Sequence, residues 1–503
     1  MFTCRPTPSR APHTHGIRTN RPRQAIRKES PYRKRHFRGK QTGPGRHARH
    51  VVRAALRLLA AVVMGAGWPP AGAHELDFIQ VDPKHPTMLR HVESGTPFVA
   101  IGLNYFGPHT GWAPKLWHQF DPTTVRRHLQ LIHQQGFNTI RVFLTLDSFH
   151  QQPGIVREEG LRKFRQFLQL CHEANLYVIP SGPDHWEGRP HWIRAKDQFA
   201  DGAVRAVTAQ WWTRFAALFK DEPAILAWDL LNEPSVAWNS SAMRTQWSPW
   251  LKKKYTRIQR VADEYGTPVE QLRAFGQVPV PARNLAAEDP RMRDYQEFRE
   301  SIANQWTRQL VTAIRRSDRK HLITIGYIQW SSNAYLPAPS VYAGFDPERN
   351  SKFLDFVTIH FYPLAPPRPC DSPRGIARNA EYLAQLLDQC RRPGKPVVIG
   401  EFGWYGGGAI RRGDRVVMPP QTESDQVAWN NKLLEVSRGR VCGWLNWAFA
   451  DTPTSQDLTR WSGIWTEDLE LKPWGRAFGQ FARATIAHPA VLQRGGSSRP
   501  RPF

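Results

Sequence analysis

Residues 225–234 read ILAWDLLNEP and residues 395–404 read KPVVIGEFGW. Each is a short apolar run that stops at a glutamate, Glu233 in the first and Glu401 in the second. A run of roughly four to eight apolar residues without alternation suits a strand buried on both faces, as in a parallel sheet. The same pattern recurs outward from these two, at 98–104, 138–144, 176–181, 321–326, 355–360 and 441–447. With 225–231 and 395–400 that makes eight candidate strands. Helical periodicity fills the intervals at 123–135, 158–174, 204–219, 292–316, 377–389 and 423–437, whereas the step from strand 5 to strand 6 shows no strong helix.

Repeated strand and helix units joined by crossovers require a parallel sheet. Eight of them predict an α/β fold of the (β/α)8 TIM-barrel type, spanning 74–487. A long insertion at 235–290, after strand 4, is expected to form two short helices on the catalytic face. A doubly wound open sheet is the rival fold, but no glycine-rich phosphate loop follows strand 1. Residues 488–503 are expected to be a disordered tail.

In such a barrel the carboxyl ends of the strands carry the chemistry. Two carboxylates delivered to one rim by different strands match the pair that glycosidic cleavage needs, one donating a proton and the other attacking or activating water. A lone strand-end glutamate is commonly just a solvated side chain. Two in these contexts argue for a reaction.

WDLLNEP, TIHFYP at 358–363 and VVIGEFGW resemble the clan A glycoside hydrolases, most closely glycoside hydrolase family 5, the cellulase and β-mannanase family. The likeness runs over roughly 98–482. It implies a retaining hydrolase of β-linked glucan or mannan, with Glu233 as acid/base and Glu401 as nucleophile. It also implies that Asn232 bonds the sugar 2-hydroxyl, that Arg141 steadies the nucleophile, and that His360 and Tyr362 stand by the acid/base and the nucleophile. Trp447 would lie under the cleaved sugar, although Trp444 is a near neighbour in register. Many members place a histidine at the end of strand 3. Here the chain runs Ser181-Gly182-Pro183-Asp184-His185-Trp186, so His185 fills that role only if the loop bends back. The insertion after strand 4 resembles that of the β-galactosidase-like branches of the clan. A β-galactosidase-like exo-glycosidase is therefore one alternative, and a non-catalytic carbohydrate-binding barrel another. No metal and no cofactor is implied.

Aromatic content fits a sugar ligand. The chain holds 20 Trp, many in loops after the candidate strands, among them Trp112, Trp117, Trp186, Trp192, Trp238, Trp404, Trp461 and Trp465. Trp186, Trp404 and Trp447 are the expected platforms, while Trp211, Trp212, Trp306 and Trp429 read as helix and core packing.

The net charge of +26 would suit a nucleic-acid or anionic partner, but its distribution argues otherwise. Residues 1–73 hold sixteen Lys and Arg against Glu29 alone, leaving +11 on the rest. Residues 1–50 are a basic stretch too poor in apolar side chains to fold. Residues 51–73 read as an export signal: Arg53 and Arg57, an apolar run from Leu58, then Ala71-Gly72-Ala73. That run is shorter than the ~20 residues of a membrane span. Residues 1–50 read either as an unusually long start of that signal or as sequence upstream of the true start, near Val51. A polysaccharide or oligosaccharide substrate, no nucleic acid, export to periplasm or medium, and a monomer are expected. Beyond Cys4 the cysteines are Cys171, Cys370, Cys390 and Cys442, of which Cys370 and Cys390 flank a loop and helix that a disulfide would join.

Overall fold

The computed structural model describes residues 76–110, 115–186, 188–364 and 372–489, all within one compact unit. The leader, the export signal, Trp112, Cys370 and nearly all of the tail lie outside the described residues. Eight parallel strands close into a barrel in which each pairs with the next in the chain and the last with the first. They are β1 (Ala100–Asn104), β2 (Thr139–Thr145), β3 (Tyr177–Asp184), β4 (Ala227–Asn232), β5 (Leu322–Tyr327), β6 (Val357–Phe361), β7 (Val397–Phe402) and β8 (Gly443–Asn446). Every residue of all eight is buried. The helices cover the outer face and side chains fill the interior, so the sequence shows unbroken apolar runs instead of alternation.

Helices α1 (Pro122–Gln134), α2 (Glu158–Glu173) and α3 (Gly202–Phe219) connect the first four strands. Asp121 and Asp201 start α1 and α3 by accepting bonds from backbone amides of the first turn. The interval after β4 contains α4 (Ser241–Tyr255) and α5 (Ile258–Tyr265), the two expected helices, and then the long α6 (Pro290–Arg315). Between β5 and β6 the longest helix spans four residues, Pro347–Asn350, in keeping with the missing periodicity there. Helices α7 (Pro373–Arg391), α8 (Glu423–Ser437) and α9 (Pro473–Ala487) complete the ring.

Three features depart from the expected layout. A three-stranded antiparallel sheet, Ile79–Val81, Leu89–His91 and Pro97–Phe98, precedes the barrel. It meets the amino-terminal end of the strands, where the Tyr177 hydroxyl donates to the Asp77 carbonyl and Phe98 packs edge-on against Tyr177. A hairpin of Ile410–Arg412 and Arg415–Met418 follows β7. Strand β3 runs on to Asp184, three residues past its expected end, because Gly182 adopts a φ of 120° that lets the chain pass Leu144 without a side-chain clash. Cys390 is a buried thiol of α7, and Cys370, the partner considered for it, lies outside the described residues. Trp211, Trp212, Trp306 and Trp429 are buried.

Candidate active site

Strand register assembles a polar layer near the carboxyl ends of the barrel. Asn104 pairs with Arg141, Ser181 with Asp229, Asn232 with Gly326, and His360 with Glu401 on four of the strand pairs. Arg141 lies at its centre, fully buried. Its Nη1 donates to Glu401 Oε1 at 2.8 Å and to Asn104 Oδ1 at 3.0 Å. Its Nη2 reaches Asp229 Oδ2 at 2.7 Å, Asn232 Oδ1 at 2.8 Å and Ser181 Oγ at 3.1 Å, while Nε donates to Asp229 Oδ2 at 2.9 Å. The other Asp229 oxygen accepts from the Gly326 amide at 2.8 Å. A buried guanidinium flanked by two carboxylates and committed at every nitrogen is paired as a buried charge must be.

Glu401, at the end of β7, is held on both oxygens, by Arg141 and by the Tyr362 hydroxyl at 2.9 Å. Glu233 follows β4 in a left-handed backbone conformation, φ 44°, with its amide bonded to the Gly326 carbonyl at 2.8 Å. Non-glycine residues pay for that conformation, which here turns the side chain out of the strand direction. His360 Nδ1 lies 3.1 Å from Glu233 Oε1 and 3.5 Å from Glu401 Oε1. Its Nε2 is buried without a polar partner, so the ring proton belongs on Nδ1. Gly326 and Gly400 make room for this ring: a Cβ at 326 would lie 2.9 Å from His360 Nε2 and 2.7 Å from Arg141 Nη2, and one at 400 would lie 3.2 Å from Nε2.

The two carboxyls have different surroundings. Burial, with the Asp184 charge adding to it and Arg141 opposing, pushes Glu233 up to about 7. Burial also raises Glu401, helped by the Glu233 charge, but Arg141 and the Tyr362 hydroxyl pull it back toward the ionised form. Burial drives His360 down to about 4, leaving a neutral imidazole at pH 7. Glu233, His360 and Glu401 each offer an atom within 4.8 Å of the others, the one cluster of acidic and imidazole donors among the described residues tight enough for a metal ion. Glu401 already spends its oxygens on Arg141 and Tyr362, so the guanidinium occupies the place a cation would take.

Of the ten residues singled out in the sequence, Arg141, Asn232, Glu233, His360, Tyr362 and Glu401 come together in this one network. Trp447 joins it through packing: its ring meets Phe143 at 5.7 Å and Phe106 at 5.4 Å, and its Nε1 donates to Thr459 Oγ1 at 2.9 Å. Trp404 is 3% exposed and packs on Tyr405. His185 follows the end of β3 with its ring stacked on Trp186 at 4.6 Å and its Nδ1 against Asp184. His185 is exposed, and Asp184, not His185, carries the strand-end charge that Glu233 feels. Among the other loop tryptophans, Trp117, Trp238 and Trp465 are buried packing residues, and Trp238 lies between Arg283 and Arg299.

Sequence reading missed Asp229, Asn104, Ser181 and Asp184. Asp229 had a signal: an aspartate inside an apolar strand needs a buried cation, and Arg141 is the charged residue of the apolar run in β2.

A family model described as cellulase, glycosyl hydrolase family 5, matches residues 92–452. Endoglucanase A of Clostridium longisporum is 23% identical over 373 residues, 68% of this chain and 57% of its own. A β-galactosidase of Vibrio cholerae is 25% identical over 164 residues, 31% of this chain and 13% of its own. Both relatives are thus much longer than the part this chain spans. The exo-β-1,4-mannosidase Op5Man5 from Opitutaceae bacterium strain TAV5 superposes with a TM-score of 0.55 at 18% identity, over 81% of this chain and 62% of that one.

Proposed function

The chain belongs to glycoside hydrolase family 5, and from that premise we propose that it hydrolyses β-linked glycans of glucan or mannan type with retention of anomeric configuration. One observation carries the reading: a carboxylate oxygen of Glu233 and one of Glu401 lie within 4.8 Å, the first in surroundings that hold a proton and the second paired with the Arg141 guanidinium. Retaining enzymes keep their carboxyls about 5 to 5.5 Å apart, whereas inverting ones leave about 6.5 to 9.5 Å for a water.

In the first step Glu233 donates its proton to the glycosidic oxygen as Glu401 attacks the anomeric carbon, giving a glycosyl ester and a free leaving alcohol. Glu233, now ionised, takes a proton from water, which cleaves the ester and restores both groups. Arg141 fixes the Asn232 amide through its oxygen, which leaves the Nδ2 end for a sugar hydroxyl. Trp447 would supply the apolar face under the sugar. The mannosidase and endoglucanase relatives support a β-mannoside or β-glucoside at the cleaved position.

The test is a panel of β-linked glucans, mannans and aryl glycosides, with proton NMR of the first-formed anomer and Glu401→Gln as control. Retention on a glucan or mannan substrate, abolished in the variant, is the expected result. An inverted first product, or equal turnover by Glu401→Gln, refutes the assignment.

A further inference from the structure

A second feature lies on the outer wall of the barrel, away from the two glutamates. A groove of about 890 Å³ runs between α3 and α6, within the size range of ligand sites. Arg205 lines it from α3, Arg308 from α6, Arg316 from the residue that caps the end of α6, Lys253 from α4, and Lys352 from the segment before β6. No acidic residue lines it among the described residues. Helical spacing explains the arrangement: 304, 308 and 312 fall on one stripe of α6, which its capping residue 316 continues, and 205, 209 and 213 on the facing stripe of α3.

None of the five cations makes an ion pair among the described residues, and unlike Arg127, Arg162 and Lys252, which also lack one, they gather around a single groove. On the same helix α6, Arg291, Arg293 and Arg315 are each matched by a carboxylate, Asp289, Glu264 and Asp355. Arg205 spends one nitrogen on the Phe199 carbonyl, and its buried Nε has no partner. Five like charges around one groove repel each other. That cost is relieved by an anionic ligand.

The rest of the lining selects the class of anion. The amides of Gln305 and Gln309 and the Asn304 nitrogen offer groups suited to hydroxyls, while the Ser301 hydroxyl donates to the Phe298 carbonyl and the Asn304 oxygen accepts from Asn350. Phe353 is the lone aromatic, and Lys352 covers its ring at 5.1 Å, so the groove offers no platform for stacked bases. The chain's own ends do not suit it either. Residues 1–73 carry +15, and residues 490–503 contain Arg494, Arg499 and Arg501 with no acid.

We propose that the groove between α3 and α6 is a non-catalytic binding site for an acidic glycan, whose carboxylates pair with the arginines while its hydroxyls meet the glutamine and asparagine amides. Such a site would hold the protein on a uronate-bearing polymer. It does not depend on turnover at the barrel mouth.

The test is calorimetric titration of the full chain with an oligogalacturonate of about six sugars, at about 0.05 M and 0.3 M salt, beside a single-stranded oligonucleotide of matched charge. The comparison form is Arg308→Glu/Arg316→Glu, both exposed positions, with the unfolding midpoint measured in parallel. The basic leader is common to both forms and cancels. Expected are salt-weakened binding of the oligogalacturonate and a loss of about tenfold or more in the variant at unchanged midpoint. If the variant loses stability, Arg308→Gln/Arg316→Gln replaces it. No binding, equal binding by the folded variant, or tighter binding of the oligonucleotide overturns the proposal.

Discussion

Replacing Arg141 by methionine keeps the apolar stem and removes the guanidinium that joins six hydrogen bonds to five residues. Two buried carboxylates, Asp229 and Glu401, lose their cation together. Breaking a buried pair from one side costs about 3 to 5 kcal/mol, because the stranded charge keeps its desolvation penalty. With an unfolding entropy of about 2.1 cal/mol/K per residue over roughly 400 folded residues, that is a fall of about 4 to 6 °C in melting temperature. Adding Asp229→Asn removes one stranded charge, so the double variant should regain a substantial part of the loss in stability and none in activity. The kinetic signature is separate. Without Arg141, Glu401 loses a charge that favours its ionised form, so the acid limb of kcat/KM moves to higher pH, and the alkaline limb set by Glu233 moves the same way, because Arg141 also holds Glu233 down. Calorimetric melting with pH profiles on an aryl β-glycoside reads both effects. A single variant within about 1 kcal/mol of the parent, with an unmoved acid limb, would refute the view that one buried cation organises the site.

Two further outcomes follow from the same geometry. Burial raises Glu233 from 4.5 to about 7, so the folded state holds that proton more tightly than the unfolded chain. The associated stability is present below about pH 4.5 and lost as pH rises through 7. Glu233→Gln should therefore gain of order 3 kcal/mol over the parent at pH 8 and little at pH 4, measured by urea unfolding, while the parent's alkaline kinetic limb falls near 7. Gly326→Ala would place a methyl 2.7 Å from Arg141 Nη2 and 2.9 Å from His360 Nε2. Neither ring nor guanidinium has room to retreat, so a stability loss of about 1 to 3 kcal/mol and at least about a tenfold fall in kcat/KM are expected; a variant normal in both assays contradicts the tight fit.

The barrel was legible because its strands are buried on both faces and so appear as short, predominantly apolar runs without strict alternation. The short strands at 79–98 and the hairpin at 410–418 were not, since two to four residues carry no measurable period. Strand β3 outruns its expected end, which stops at 181 because Gly182 and Pro183, usual strand breakers, follow there. The price of that error was Asp184, hidden in an apparent loop. Glu233 and Glu401 declared themselves by ending apolar strands. Asp229 lay inside one, and its meaning depends on a partner 88 positions away. Trp404 and Trp447 show the limit of counting aromatics: both are legible and both are 3% exposed, and whether either meets a ligand is decided by packing.

One N–H group serves two masters here. His360 carries its single ring proton on the nitrogen that faces both glutamates, 3.1 Å from one and 3.5 Å from the other. In the proposed cycle the negative charge alternates between those carboxyls, on Glu401 before the ester forms and on Glu233 afterwards. A shared donor can follow that charge by a small tilt, without repacking the wall behind it, where Gly326 and Gly400 leave just the thickness of a ring. The imidazole then acts like the pivot of a balance, stabilising whichever arm is charged, and the cycle needs no rearrangement of the barrel between its two halves.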